Sequence, residues 1–393
     1  MEIEFSQEDE QFRADARDWL ARNVPPEARP EMPPAARREF DLAWQRTQFE
    51  GGWAGIFWPK EHGGRGLSVV QQLIWLEEYA RARGPYLGSC FVGLSHAGPT
   101  LIQRGTPEQK ALHLPRILRG EVVWCQGFSE PGAGSDLASL RTRARIEGDH
   151  LVVNGQKIWT SSADVADYQE LLVRTDPDAP KHKGITWVIC DMKTPGITVR
   201  PIRTMSGLFH FCEVFYDDVR IPLSNVVGTI NDGWNIAQTT LSFERGTAFI
   251  PAQMELAEAI ERLASLAAHT PGPTGSGTAL EDSEIARRIG FLRASALAMR
   301  AMAYTTISRM LRAGSPGPEA SMMRLYFGEL LQQTCRLAVE IDGHDALVHD
   351  PAKDSWTRRY LHAFKDTISA GAAQIQRNII GERVLGLPRS AKR

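Results

Sequence analysis

The densest chemistry in the chain is a ten-residue run, Gly127-Phe128-Ser129-Glu130-Pro131-Gly132-Ala133-Gly134-Ser135-Asp136. Ser129 and Ser135 supply hydroxyls, and glycines without a Cβ let backbone N–H groups come close to a ligand. The spacing is not a dinucleotide fingerprint, because no G-x-G-x-x-G opens a helix behind a strand. The same glycines would serve a tight turn, so the residues alone leave a ligand role and a structural role both open. Further on, Leu241-Ser242-Phe243-Glu244-Arg245-Gly246-Thr247 sets a carboxylate and a guanidinium among apolar neighbours. On their own, Glu244 and Arg245 read as an ordinary charged turn of helix. Trp159 reads, on its own, as a core aromatic beside a hairpin.

The elements that must position these residues change character twice. Ser6 with Glu8-Asp9-Glu10 reads as a helix start, acids lying near the positive end of the dipole. Phe12, Ala16, Trp19 and Leu20 then share one face until Pro25-Pro26 ends the run. Helical patterns follow over Val69 to Arg83 and from Thr106 to Leu118, the latter with a proline just inside its cap. From about residue 122 short alternating segments take over. Residues 142–147 and 149–153 flank Glu147-Gly148, and Asn154-Gly155 between two apolar runs predicts a hairpin. Further strands are expected at 170–174, 185–191, 197–202 and 212–220. Helical periodicity returns at about Asn235. A helix over 254–267 stops at a connector, Thr270 to Gly277, whose composition predicts flexibility. Helices at 281–313, 318–342, 353–369 and 373–385 complete the chain. The expected architecture is α+β and multidomain: an N-terminal helical domain (1–121), a middle antiparallel all-β domain (122–233) and a C-terminal helical domain (234–393).

Bulk properties exclude several classes. A net charge of −2 gives no general electrostatic footprint for nucleic acid. The cysteines, Cys90, Cys125, Cys190, Cys212 and Cys335, are dispersed without a CxxC pair, which argues against a disulfide framework and a structural zinc site. Charges interrupt every apolar stretch before about 18 residues, so no membrane span is expected. The acidic start, Met1-Glu2-Ile3-Glu4, lacks a secretory pattern, and a cytoplasmic protein is expected.

The run from Phe128 to Asp136 closely resembles the first signature of the acyl-CoA dehydrogenase family. Gly105-Thr106-Pro107-Glu108-Gln109-Lys110, Asn154-Gly155-Gln156-Lys157-Ile158-Trp159-Thr160-Ser161, Phe215-Tyr216-Asp217-Asp218-Val219-Arg220-Ile221-Pro222 and Ile375-Gln376-Arg377-Asn378-Ile379-Ile380 extend the likeness in order. The resemblance implies an antiparallel β-barrel-like middle domain and a C-terminal four-helix-bundle domain, and FAD held by Gln126, Phe128, Ser129, Ser135, Trp159, Ser161 and Gln374. It places Ser135 near the pantetheine arm of an acyl-CoA, with Glu244, Arg245 and Ala370 also at the substrate. The implied reaction removes two hydrogens across Cα–Cβ of a thioester, and electrons then pass to an electron-transfer flavoprotein.

Two departures refine that implication. Many members carry the base in a Tyr-Glu-Gly-Thr-like segment, where this chain has Ile368-Ser369-Ala370-Gly371. Ala370 cannot take a proton, and a subset of the family instead uses a position matched by Glu244. The Ala370 N–H is still expected to hold the thioester oxygen. Homotetrameric members bind the far end of FAD through an Arg-Phe segment and a Gln-x-x-Gly-Gly-x-Gly segment. Here the corresponding regions read Glu281-Asp282-Ser283-Glu284 after the Pro271–Gly277 connector, and Glu340-Ile341-Asp342-Gly343-His344. The combination resembles actinobacterial-type subunits that act on sterol-derived CoA thioesters as α2β2 assemblies. A second homologous subunit is therefore expected, a homo-oligomer being the alternative. A non-catalytic acyl-CoA-binding subunit and a same-fold oxidase or flavin monooxygenase remain competing activities.

Overall fold

In the computed structural model, which describes residues 5–243, 249–313 and 317–388, the chain opens with α1 (Gln7–Asn23). The Ser6 hydroxyl accepts from the Asp9 N–H while the Asp9 carboxylate accepts from the Ser6 N–H, a reciprocal cap. Phe12, Ala16 and Leu20 are its buried stripe. Then come α2 (Pro34–Glu50), α3 (Val69–Arg81), α4 (Gly98–Arg104) and α5 (Pro107–Leu118). No helix was expected at α2. Its buried face carries Arg37, Asp41, Gln45 and Gln48 at helical spacing, so apolar periodicity is weak there.

Seven strands follow: β1 (Trp124–Gly127), β2 (Arg143–Glu147), β3 (His150–Ser161), β4 (Tyr168–Arg174), β5 (Ile185–Asp191), β6 (Ile197–Ile202) and β7 (Phe211–Pro222). They form one sheet in the order β1-β4-β2-β3-β7-β6, with β5 on β4. Most pairings are antiparallel, as expected, and β1 runs parallel to β4. Both faces are covered: Leu172, Ile185 and Trp187 join the core beneath α4 and α5, while Leu171, Val173 and Val188 fill the opposite core. All five cysteines are buried and unbridged.

The expected hairpin at Asn154-Gly155 is not there. β3 runs through both residues, and the β2–β3 turn lies where Glu147 pairs with His150. Asn154 instead clips β3 to β7, donating to the Asp218 carboxylate (2.8 Å) and accepting from the Asp218 N–H (3.0 Å). Gly155 sits at φ 150° at a register shift, where a Cβ would lie 2.7 Å from the Thr142 Cα. The dipeptide is a bulge, and glycine is required by the close approach of Thr142.

The C-terminal part comprises α6 (Gly233–Phe243), α7 (Phe249–His269), α8 (Ser283–Ala313), α9 (Ala320–Asp342), α10 (Trp356–Ala363) and α11 (Ala373–Ile379). Leu256, Ile260, Leu263, Ile289, Leu292 and Phe327 form their shared core. The connector after α7 closes on itself: the Gly272 N–H donates to the Gly277 carbonyl (3.0 Å) and the Ala279 N–H to the Thr270 carbonyl (2.8 Å). Among the described residues no helix is long and apolar enough to cross a membrane.

Candidate active-site cleft

Glu130 and Ala133 exchange backbone hydrogen bonds (3.1 and 3.0 Å), so Pro131-Gly132 form a tight turn directly after β1. The turn is anchored from inside. Lys157, wholly buried on β3, donates from Nζ to the Phe128 carbonyl (3.0 Å) and to Glu130 Oε1 (2.8 Å). The Glu130 carboxylate also accepts from the Arg141 N–H (2.6 Å) and the Thr142 N–H (2.9 Å). Burial would raise the Glu130 pKa, yet Lys157 and these donors hold it below the usual carboxylate range. Burial pushes the Lys157 ammonium down to about 8, against the pull of Glu130. Sequence reasoning missed this pair, for which nothing local is a signal. Glu130 lies in the turn beyond β1 and Lys157 inside β3, so the two meet only through the tertiary fold.

The Ile158 N–H donates to the Ser129 carbonyl (2.9 Å), joining the run to the segment that carries Trp159. Trp159 is no core residue: 54% of it is exposed, its φ is 61°, and its ring meets Phe211 edge-on at 6.0 Å. Ser161 is exposed opposite Phe211, and the Ser162 N–H donates to the His210 carbonyl (3.1 Å). Phe128 has its side chain in the core at 4% exposure, so only its backbone faces outward chemistry. Gln126 Nε2 donates to Glu170 Oε1 (2.8 Å) and lies 3.2 Å from His96 Nδ1. Ser135 and Gln374 are exposed.

From this strand edge ring contacts lead away on two sides. His96 meets Phe91 edge-on (5.0 Å), and Phe91 stacks on Tyr86 (6.2 Å). On the other side His210 meets His362 of α10 at 5.7 Å, and the chain then passes through Lys365 and Asp366 to Ala370. Ala370 and Gly371 both have positive φ (50° and 85°), and their carbonyls each accept from Gln376 Nε2 at 3.1 Å. Arg324 holds the preceding Ser369 carbonyl (2.9 Å). The Ala370 N–H donates to no acceptor among the described residues. Glu244 and Arg245 lie outside the described residues; the flanking α6 is seated on α4 by the Thr100–Thr240 hydroxyl pair (2.9 Å). A separate recess of about 310 Å³ lies behind the Pro131-Gly132 turn, and Ser129, Trp159 and Ser161 are not among its walls. Among the described residues no cluster of three or more His, Cys, Asp or Glu could hold a metal.

The acyl-CoA dehydrogenase N-terminal, middle and C-terminal domains match residues 6–121, 125–219 and 231–385. The chain is 39% identical over 393 residues to the acyl-CoA dehydrogenase IpdE1 of Mycobacterium tuberculosis, covering 98% of this chain and 100% of that one. Among solved structures it superposes on the Tcur3481–Tcur3483 steroid ACAD with a TM-score of 0.81 and 31% identity, over 99% and 100% of the two chains. The ChsE4–ChsE5 complex from Mycobacterium tuberculosis gives a TM-score of 0.81 at 32% identity, over the same shares. The three domain matches and these full-length likenesses identify the chain as a member of the acyl-CoA dehydrogenase family.

Proposed function

We propose that this chain catalyses FAD-dependent α,β-dehydrogenation of a bulky, steroid-derived acyl-CoA thioester to the 2-enoyl-CoA, with Glu244 as the α-proton base. The observation that carries the reading is Trp159, an exposed aromatic held at positive φ beside an anchored turn whose Gly132 and Gly134 face open space. Exposing a tryptophan on a strained backbone is costly unless a flat ligand covers it. A flavin ring suits that wall, with Gln126, Ser129 and the Phe128 backbone toward its pyrimidine end and Ser161 and Gln374 as further contacts. When bound, FAD supplies the hydride acceptor at N5.

The chain's own residues do the remaining work. Glu244 takes the proton from Cα of the thioester while the Cβ hydrogen leaves as hydride, so the C–C single bond becomes a double bond. Negative charge gathers on the thioester oxygen as the α-proton leaves. The Ala370 N–H, fixed by its neighbours' bonds to Gln376 and Arg324, is the donor placed to stabilise it. Ser135 and Arg245 complete the substrate contacts. The names of the two solved relatives each join two proteins, which supports assembly of this chain with a second homologous subunit. An electron-transfer flavoprotein would reoxidise the complex.

Glu244→Gln, in the chain co-purified with its homologous partner, is expected to lower turnover by roughly two to four orders of magnitude with the flavin absorbance retained. Near-normal turnover with flavin bound would refute the base assignment. The same preparations test the partner: chain purified alone should carry far less FAD than the complex, and full occupancy alone would remove the need for a second subunit.

A further inference from the structure

One patch of the core beneath α4 and α5 is polar. Gln126 on β1 and Glu170 on β4 are register partners, and alternation along each strand sets them on the face where Trp124 and Leu172 join that core. His96, in the helical segment Gly93–Ala97 that leads into α4, meets them there. Glu170 exposes none of its surface and His96 only 4%. A buried carboxylate is costly at a strand position that an apolar side chain would fill, and it persists only with donors in place.

The three side chains meet in a closed triangle. Gln126 Nε2 lies 2.8 Å from Glu170 Oε1 and 3.2 Å from His96 Nδ1, and those two atoms are 3.4 Å apart. An amide nitrogen carries two protons, and here an acceptor stands for each. Turning the amide over would set its oxygen against the Glu170 carboxylate, acceptor to acceptor. The nitrogen is thus held inward, and the oxygen is the end left for a ligand. Gln126 is half-buried, and its Oε1 accepts from none of the described residues. Two residues on, the Phe128 carbonyl is already taken by Lys157.

We infer that Glu170 and His96 are positioning residues that lock the Gln126 amide, so that it meets the flavin ring as an acceptor for the pyrimidine N–H and not as a donor to the ring carbonyls. The reduced ring is electron-rich and its pyrimidine N–H is the poorer donor. An acceptor there favours the oxidised ring and keeps the reduction potential low. The inference rests on the FAD reading above for what Gln126 faces.

The test titrates FAD into the deflavinated complex of this chain with its homologous partner, then measures the potential of the bound flavin. Gln126→Leu, which changes no charge, should weaken FAD binding about three- to tenfold and raise the potential. Glu170→Leu should weaken binding by a similar factor, and adding it to Gln126→Leu should weaken binding no further, because the carboxylate acts through the amide. Glu170→Gln keeps an acceptor for the amide and should fall between wild type and Glu170→Leu. His96→Leu should give a smaller loss, again absent in the Gln126→Leu background, which decides the matter even where Glu170→Leu does not fold. Losses that simply add, a potential unchanged or lowered in Gln126→Leu, or wild-type affinity in the single leucine variants overturns the inference and leaves the dehydrogenase reading standing. A wild-type complex that takes up no FAD sinks both.

Discussion

Lys157 exposes none of its surface, and its ammonium donates to two acceptors, the Phe128 carbonyl and the Glu130 carboxylate, in the segment that leads into the Pro131-Gly132 turn. Removing one member of a buried ion pair strands the other, at about 3–5 kcal/mol. Lys157→Met should therefore lower the urea midpoint markedly and also lower flavin content, while adding Glu130→Gln should restore part of the stability. A single variant as stable as wild type would show that Glu130 finds other donors. At this scale Ser129, Trp159 and the turn glycines were legible as types, because hydroxyl, aromatic and glycine each suggest a use. Trp159 as a core residue was the reading that residue type favoured, and its 54% exposure overturns it. The reason is positional: at φ 61° the backbone turns the ring away from the sheet interior.

Elements were legible wherever one face is apolar. α1, α5 and α7 bury stripes such as Phe12, Ala16 and Leu20, and their limits were read to within a few residues. α2 was invisible because Arg37, Asp41, Gln45 and Gln48 outnumber Leu42 and Trp44 among its buried residues. Arg37 donates to Asp164 (2.8 and 2.9 Å) and Arg38 to Asp167 (2.8 Å), both in the loop that follows β3 and its Trp159. Asn154-Gly155 shows the opposite error, a strong local signal captured by tertiary contacts. Gly155→Ala should cost about 1–3 kcal/mol by crowding Thr142. Asn154→Ala, which removes only the exposed clip to Asp218, should cost about 1 kcal/mol or less. Equal midpoints for Gly155→Ala and wild type in urea unfolding would mean that the bulge relaxes freely.

Across the whole molecule, polar contacts join the helical regions, and buried imidazoles make the fold sensitive to acid. Arg13 and Tyr304 meet at Glu77, joining α1, α3 and α8 (3.2 and 2.5 Å). Burial lowers His113 to about 4 and His362, beside Lys365 and His210, to about 3. These imidazoles stay neutral in the fold while the unfolded chain protonates its own below about pH 6.5. The unfolded state then binds more protons, so stability falls as pH drops from about 6.5 toward 4, by at most about 1.4 kcal/mol per unit for each histidine. Urea midpoints taken across that window should decline, and more gently in His113→Gln/His362→Gln. A flat profile in the wild type would show that neither ring is buried neutral.

The amino-acid sequence by itself determined the order of helices, strands and helices, the excluded classes, and the segments that resemble acyl-CoA dehydrogenases. Those follow from composition and from periodicities of two and 3.6, which report how each element meets its own neighbours. Only the tertiary structure decided that Lys157 anchors the turn through Glu130, that Trp159 faces outward, and that the Ala370 N–H stands free beside Gln376. Such pairs are distant along the chain, and the free energy of each depends on the burial and geometry that the completed fold imposes on both partners.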